Sequence, residues 1–375
     1  MADGTTGKPL GRHGEPPPRG SDSPAGRSSH RSRTSRARPG DRGERAAGPG
    51  PAPSRRGILA AAVPAAFGAA GLLTGCGGTS TAKGASDAEG GGSPGHRSPS
   101  PRPTPTRRPR PPELPRGGRT LFPAYRLFGY CGLPGAAALG RLGTGDAEER
   151  AKEIERKAHE YGGGRAPLPV FELLACVANS SAGPDGTYRT RTPSDTIGRF
   201  HELAHRHRAM LLLNIQPGRA SVLDEVRALH EWLVHADVGV ALDPEWEMGP
   251  GQVPGNTYGH TDGGELNDVV RYLSDVVADH DLPEKPFVFH EVATSVVGDR
   301  STLRPRPGVV PIMSADGIGS PGLKRATWHQ LVRRLPRGLH TGFKLFYDED
   351  TRGSRLMSPK EVLALEPRPE YVMYE

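Results

Sequence analysis

Asp243 and Glu245 stand two residues apart around Pro244, near the end of the run VGVALDPEWEM that spans residues 238–248. Paired carboxylates suit acid–base chemistry: one is kept protonated by its neighbour's charge and donates, while the other stays ionised. The apolar half of the run, VGVALD, has the composition of a buried strand. Alternation along it puts Val238, Val240 and Leu242 on one face, with Gly239, Ala241, Asp243 and Glu245 on the other. Strand rise would hold the two acids about 6–7 Å apart. Pro244 cannot donate to a ladder, which places it at a strand end.

Something must carry that strand and aim its polar end. From residue 119 onward, apolar runs alternate with helical patterns. Strands are expected at 126–130, 170–175, 209–215, 238–243, 287–292, 309–315 and 342–348. Helices are expected at 146–161, 194–207, 221–234, 264–279 and 322–335, each with an apolar stripe such as Leu266, Val269, Val270, Leu273 and Val277. Repeated strand–helix units imply a parallel sheet covered by helices. An open sheet covered on both sides would be apolar on both faces. Here one face is apolar and the other small or polar, with the polar groups at the C-terminal ends of the strands. That pattern predicts a (β/α)8-like TIM barrel whose mouth is a site. Seven strands are clear; Thr120–Phe122 is a candidate for the eighth, or the barrel is irregular.

By the same parity Glu172, Gln216, Asp316, Lys344 and Asp348 share the inward face with Asp243 and Glu245, and His290 points inward while Glu291 faces the helices. Trp246 and Tyr347 offer flat faces on which a sugar can stack. The long loop 248–264, MGPGQVPGNTYGHTDGG, carries Tyr258 and is a candidate lid or substrate-binding loop.

The D-x-E pair ending the fourth strand resembles that of barrel glycoside hydrolases of the chitinase (family 18) and wall-lytic muramidase (family 25) types. The resemblance implies a glycoside hydrolase in which Glu245 protonates the leaving oxygen and Asp243 orients or stabilises the group at the sugar's second carbon. The substrate implied is a cell-wall or environmental polysaccharide. Where the chitinase pattern has further upstream aspartates, this chain has Val238 and Ala241, and Pro244 between the acids is also a departure. The alternative from a different class is a catalytically silent barrel that binds wall glycan or a partner.

A second motif competes. His201-Glu202-x-x-His205 matches the zinc-peptidase signature, with two imidazoles one helical turn apart. Its helix leads directly into the third strand and already has an apolar face in Ile197, Phe200 and Ala204, so it reads as an ordinary outer helix, with Glu202 in solvent. No metal and no cofactor are expected. No phosphate-binding G-x-x-x-x-G-K loop or C-x-x-C pair occurs.

The N-terminal third is of another kind. Its residues 1–118 carry an excess of 11 basic groups, whereas the rest has an excess of 4 acidic ones, giving +7 overall. The basic character therefore belongs to the arm, and no nucleic-acid surface is expected on the folded part. Residues 1–53 are Pro, Gly, Ser and Arg with few large apolar groups, the composition of a disordered segment. Residues 54–76, SRRGILAAAVPAAFGAAGLLTGC, resemble a bacterial twin-arginine export signal that ends in a lipobox, with Arg55-Arg56 at its head and Leu73 to Cys76 at its end. This implies lipidation of Cys76 and anchorage to the outer face of the cell membrane. Residues 77–118 then form a Pro- and Arg-rich tether, able to reach on the order of 100 Å in polyproline form, with the barrel over 119–375. In such a compartment a disulfide between Cys131 and Cys176 is allowed, though spacing does not decide it.

Overall fold

The computed structural model describes residues 110–375 apart from Arg334. Eight parallel strands run in chain order around a closed barrel: β1 Tyr125–Gly132, β2 Ala166–Ala178, β3 Met210–Ile215, β4 Val238–Leu242, β5 Lys285–Glu291, β6 Val309–Ala315, β7 His340–Leu345 and β8 Tyr371–Tyr374. Each strand pairs in parallel with the next, and β8 returns to β1 with Leu127 opposite Tyr371, which closes the ring. The outer layer comprises α1 Ala147–Glu160, α2 Ser194–Arg206, α3 Val222–Ala228, α4 His230–Leu233, α5 Gly263–Asp279, α6 Pro321–Val332 and α7 Pro359–Leu363. The helix expected over 221–234 is thus two short ones that break at Leu229. Among the described residues, no helix is long and apolar enough to cross a membrane.

The closing strand corrects the sequence reading. Residues 120–122 form no strand; Leu121 is buried, and its N–H donates to Glu284 Oε2 at 2.6 Å. The eighth strand is YVMY at 371–374. It is only four residues long and follows a Pro-containing stretch, so it carries little local signal. It gains its partners only when β1 and β7 flank it.

Strand parity is as the alternation predicts. One apolar cluster fills the barrel, including Leu127, Val170, Leu212, Ala241, Val288, Ile312 and Met373. A second lies between sheet and helices and takes Val238, Val240 and Leu242 together with Leu266, Val269 and Leu273. Gly239 fits the crowded interior, because a Cβ there would sit 2.7 Å from Pro286 O and 2.8 Å from Leu212 Cδ2. Cys131 belongs to the inner cluster and Cys176 to the outer one, on opposite sides of the sheet; both are buried free thiols.

The folded part begins before residue 119. Leu114 is buried in the inner cluster, and Arg116 donates to Pro167 O and pairs with Glu155. The last residues of the expected tether therefore pack onto the barrel. Residues 1–53 and 54–76, including Arg55, Arg56 and Cys76, lie outside the described residues.

Candidate active site

Towards the C-terminal end of the barrel, polar groups gather among the inward side chains and form one polar layer. Glu172 on β2 is the centre of a hydrogen-bond network. Its Oε1 accepts from Asn214 Nδ2 at 2.7 Å and from His290 Nε2 at 2.9 Å, and its Oε2 accepts from Tyr371 Oη at 2.8 Å. Burial alone would raise the Glu172 pKa, but the facing His290, Lys344 and these donors together hold it below the usual carboxylate value. Burial acts in the opposite sense on His290, which Glu172 nonetheless raises above the ordinary imidazole value. Each partner thus favours the other's charged form.

Asp243 continues the network beyond the end of β4. Its Oδ1 accepts from Asn214 Nδ2 at 3.4 Å and its Oδ2 from Gln216 Nε2 at 3.0 Å. On the far side Lys344 Nζ lies 3.5 Å from Asp316 Oδ2 and pairs closely with Glu375. Glu172, Asn214, His290, Ser314 and Lys344 have no exposed surface, and Asp243 and Asp316 are 1% exposed. Trp246, Leu174, Phe346 and Ile318, among others, line a cavity of about 50 Å³ next to Gln216 and Glu375.

Glu245 does not sit two places along a strand from Asp243. The strand stops at Leu242, and Pro244–Trp246 form a single 3-10 turn with Pro244 at its start and Trp246 N–H donating to Asp243 O at 3.1 Å. The strand-rise distance therefore does not apply, since a proline with fixed φ and no donor suits the first position of a turn. Glu245 is 2% exposed, and its carbonyl accepts from Gly259 N–H at 2.7 Å, which ties the 248–262 loop to the turn. Gly259 meets a close-approach requirement there: a Cβ would lie 1.9 Å from Glu247 O.

Three expected site residues stand apart from the polar layer. Asp348 shares no inward face with Lys344, because β7 ends at Leu345 and Asp348 is exposed in the turn that follows. Tyr347 packs in an outer aromatic group, with its ring 4.8 Å from that of Tyr374 and its hydroxyl 3.0 Å from Tyr130 Oη. Tyr258 is 44% exposed on the loop. Four members of the layer were not foreseen as site residues: Asn214, Ser314, Tyr371 and Glu375. Asn214 and Ser314 carried a signal, because they alternate in phase with Gln216 and Asp316. Tyr371 and Glu375 depend on recognising β8.

The zinc-peptidase signature lies elsewhere. His201 Nε2 is 2.9 Å from Asp237 Oδ1 and His205 Nδ1 is 3.2 Å from Asp237 Oδ2, while Glu202 is exposed, as expected for an outer helix. Asp237 immediately precedes β4, at the opposite end of that strand from Asp243. Residues of this group line a surface cleft with Glu113 and Arg208.

No family model and no curated protein matches the chain. Solved structures do. A trimodular GH5_4-subfamily endoglucanase aligns over 67% of this chain and 55% of its own, at 12% identity and a TM-score of 0.39. A hyperthermophilic endo-β-1,4-glucanase solved in complex with substrate aligns over 64% of this chain and 83% of its own, at 9% identity and a TM-score of 0.36. D-psicose 3-epimerase from Clostridium cellulolyticum H10, solved with D-tagatose, aligns over 66% and 84% respectively, at 10% identity and a TM-score of 0.31. This chain thus spans little more than half the length of the first of them.

Beside the turn, Glu247 is half-buried near the Glu265 carboxyl at the start of α5. Burial and then the hydrogen bond to Glu265 push its pKa from 4.5 up to about 9. The folded chain therefore keeps a proton that the unfolded chain releases. Stability from this group is complete below pH 4.5 and is lost as pH rises towards 9. Glu247→Gln should accordingly melt above wild type at pH 8, with the gap closing at pH 4.5. Equal melting shifts at both pH values would show that the carboxyl is not the titrating group.

Proposed function

We propose that this protein is a lipid-anchored extracytoplasmic glycoside hydrolase acting on a cell-wall or environmental polysaccharide, with Glu245 as general acid and Asp243 as its partner. The observation that supports this most is the gathering of carboxylates at the C-terminal end of a closed parallel barrel, where barrel enzymes do their chemistry. Asp243 accepts hydrogen bonds from two amide side chains, Asn214 and Gln216, which suits an acid that stays ionised. Glu245 follows within one turn and is buried. Glycosidic cleavage asks for such a pair, one carboxyl donating to the leaving oxygen and one supporting the positive charge that develops. Glu172, Gln216, His290, Asp316 and Lys344 serve in this reading to hold and polarise the site, and Trp246 offers a face for a sugar ring. The resemblance of the D-x-E pair to chitinase- and muramidase-type barrels supports the same class.

One observation favours a second reading, a barrel that binds glycan or a partner without turnover. The cavity at the polar layer measures about 50 Å³, against roughly 300–1,000 Å³ for ordinary ligand sites. A glycan needs more room than this cavity beside Trp246 provides. A panel of soluble glycans separates the two: released reducing ends support hydrolysis, and saturable binding without release supports the second reading.

The anchor rests on the sequence of residues 54–76. The mature chain is expected to begin at Cys76 and to partition with membranes, and Cys76→Ala should move it to the soluble fraction. Mass spectrometry of the native protein that finds an unmodified Cys76 within an intact N-terminus would exclude this. Export would leave a charge-balanced protein from residue 76 onward, held by a tether whose last residues pack on the barrel.

A further inference from the structure

We propose that Asp243, His290 and Asp316 form a binding site for one first-row divalent cation, of the manganese-to-zinc range. This goes beyond the glycosidase reading and departs from the metal-free expectation drawn from sequence. The three residues stand on or just past the ends of the consecutive strands β4, β5 and β6. One carboxylate oxygen from each aspartate and one ring nitrogen of His290 lie within 4.8 Å of one another, and all three side chains are buried. Ligands about 2.0–2.2 Å from a common ion are roughly 3–3.5 Å apart. Small side-chain rotations would bring the three atoms to that spacing.

A second observation points the same way. His290 Nε2 is engaged by Glu172 Oε1 at 2.9 Å, yet Nδ1 is fully buried and has no hydrogen-bond partner among the described residues. A neutral imidazole that donates one N–H to a carboxylate presents a lone pair on the other nitrogen, and a metal binds there by displacing the proton of the charged ring. That is the arrangement met at metal-bound histidines, where the carboxylate fixes tautomer and ring orientation. Ser314 Oγ is also buried and without a partner, and it stands directly beside His290 in the β5–β6 register. Leaving such groups unsatisfied costs free energy that a bound cation would recover.

Charge and donor type agree. The polar layer gathers the carboxylates of Glu172, Asp243, Asp316 and Glu375 against the Lys344 ammonium, and a bound cation would take the place of the ring proton that His290 gives up on coordination, so its positive charge is favourable. Two carboxylates and one imidazole suit manganese, iron or zinc; calcium and magnesium prefer all-oxygen sets.

The test uses the protein stripped with EDTA and titrated with MnCl2 or ZnCl2 in a calorimeter, with melting curves alongside. The expected result is about one saturable equivalent and a higher melting temperature with metal, with affinity reduced at least about tenfold in His290→Gln and in Asp316→Asn. His201→Ala, in the separate surface group around Asp237, should bind as wild type does. Circular dichroism establishes that each variant is folded. If only one of the two ligand variants folds, that one decides the outcome. Absence of saturable binding by stripped wild type overturns the proposal. So does undiminished affinity in a folded ligand variant, or loss of the bound equivalent in His201→Ala, which would put the ion on the outer helix. Binding is read without turnover, so this result stands whether or not the protein cleaves glycan.

Discussion

Glu245→Gln is expected to lower turnover by about 10²–10⁴-fold on whichever glycan the wild type cleaves, the usual worth of general acid catalysis. The amide nearly matches the carboxyl in shape, so the 3-10 turn at Pro244–Trp246 and its Gly259 hydrogen bond should persist. Glycan binding and melting temperature should stay near wild type. An amide cannot protonate a leaving oxygen, so only the rate should fall. Asp243→Asn should also impair turnover, for a different reason. Asn214 and Gln216 both donate to the Asp243 carboxylate, and an asparagine there sets an amide donor against one of them. Glu202→Gln on the exposed side of α2 is the control and should change nothing, whereas a zinc peptidase built on His201 and His205 requires it to be severe. Near-normal turnover in Glu245→Gln, or a change confined to a large drop in melting temperature, would make the carboxylate structural and end the hydrolase reading.

Asp350→Ala is expected to destabilise the barrel by about 3–5 kcal/mol, the cost of leaving a buried charge without its partner. Lys324 Nζ lies 3.0 Å from Asp350 Oδ2, and both side chains are almost fully buried. Asp350 also accepts from Gly319 N–H at 2.8 Å and from Phe346 N–H at 3.0 Å, so one carboxylate joins the start of α6 to the turn after β7. Burial lowers the Lys324 pKa, and Asp350 counters that shift. With the carboxylate gone, the ammonium keeps Gly317 O at 2.5 Å but loses its counter-charge. Thermal melting at neutral pH should fall by on the order of 10 °C for a domain of this size. Lys324→Met leaves the buried Asp350 carboxylate without its cation in turn, but should cost less, because two backbone N–H donors remain on that carboxylate. A melting temperature for Asp350→Ala within about 2 °C of wild type would show that water or rearrangement replaces the pair.

Much of this architecture was legible in the chain. Seven of the eight barrel strands could be placed because burial on an alternating lattice writes period two into the residues themselves. Val238, Val240 and Leu242 face the helices, and Gly239, Ala241 and Asp243 face the barrel, as that period requires. The inward position of Glu172, Gln216, His290, Asp316 and Lys344 followed from the same rule. The exposure of Glu202 followed from helical period, since Ile197, Phe200 and Ala204 already define the buried side of α2.

Beyond that, tertiary structure decided. Alternation holds only while the strand lasts, so it misplaced Asp348, which lies past the end of β7, and gave Glu245 a spacing that the turn at Pro244 removes. The closing strand at Tyr371–Tyr374 is too short to announce itself and exists because two flanking strands supply its partners. The Lys324–Asp350 pair joins a helix and a loop that no local pattern in the sequence brings together. The meeting of Asp243, His290 and Asp316, with His290 Nδ1 left over once Glu172 has taken Nε2, required the barrel to close. Sequence fixes which way a side chain leaves its own strand, because that depends on local geometry; which atoms it then meets is set by how strands distant in sequence curve around a common axis.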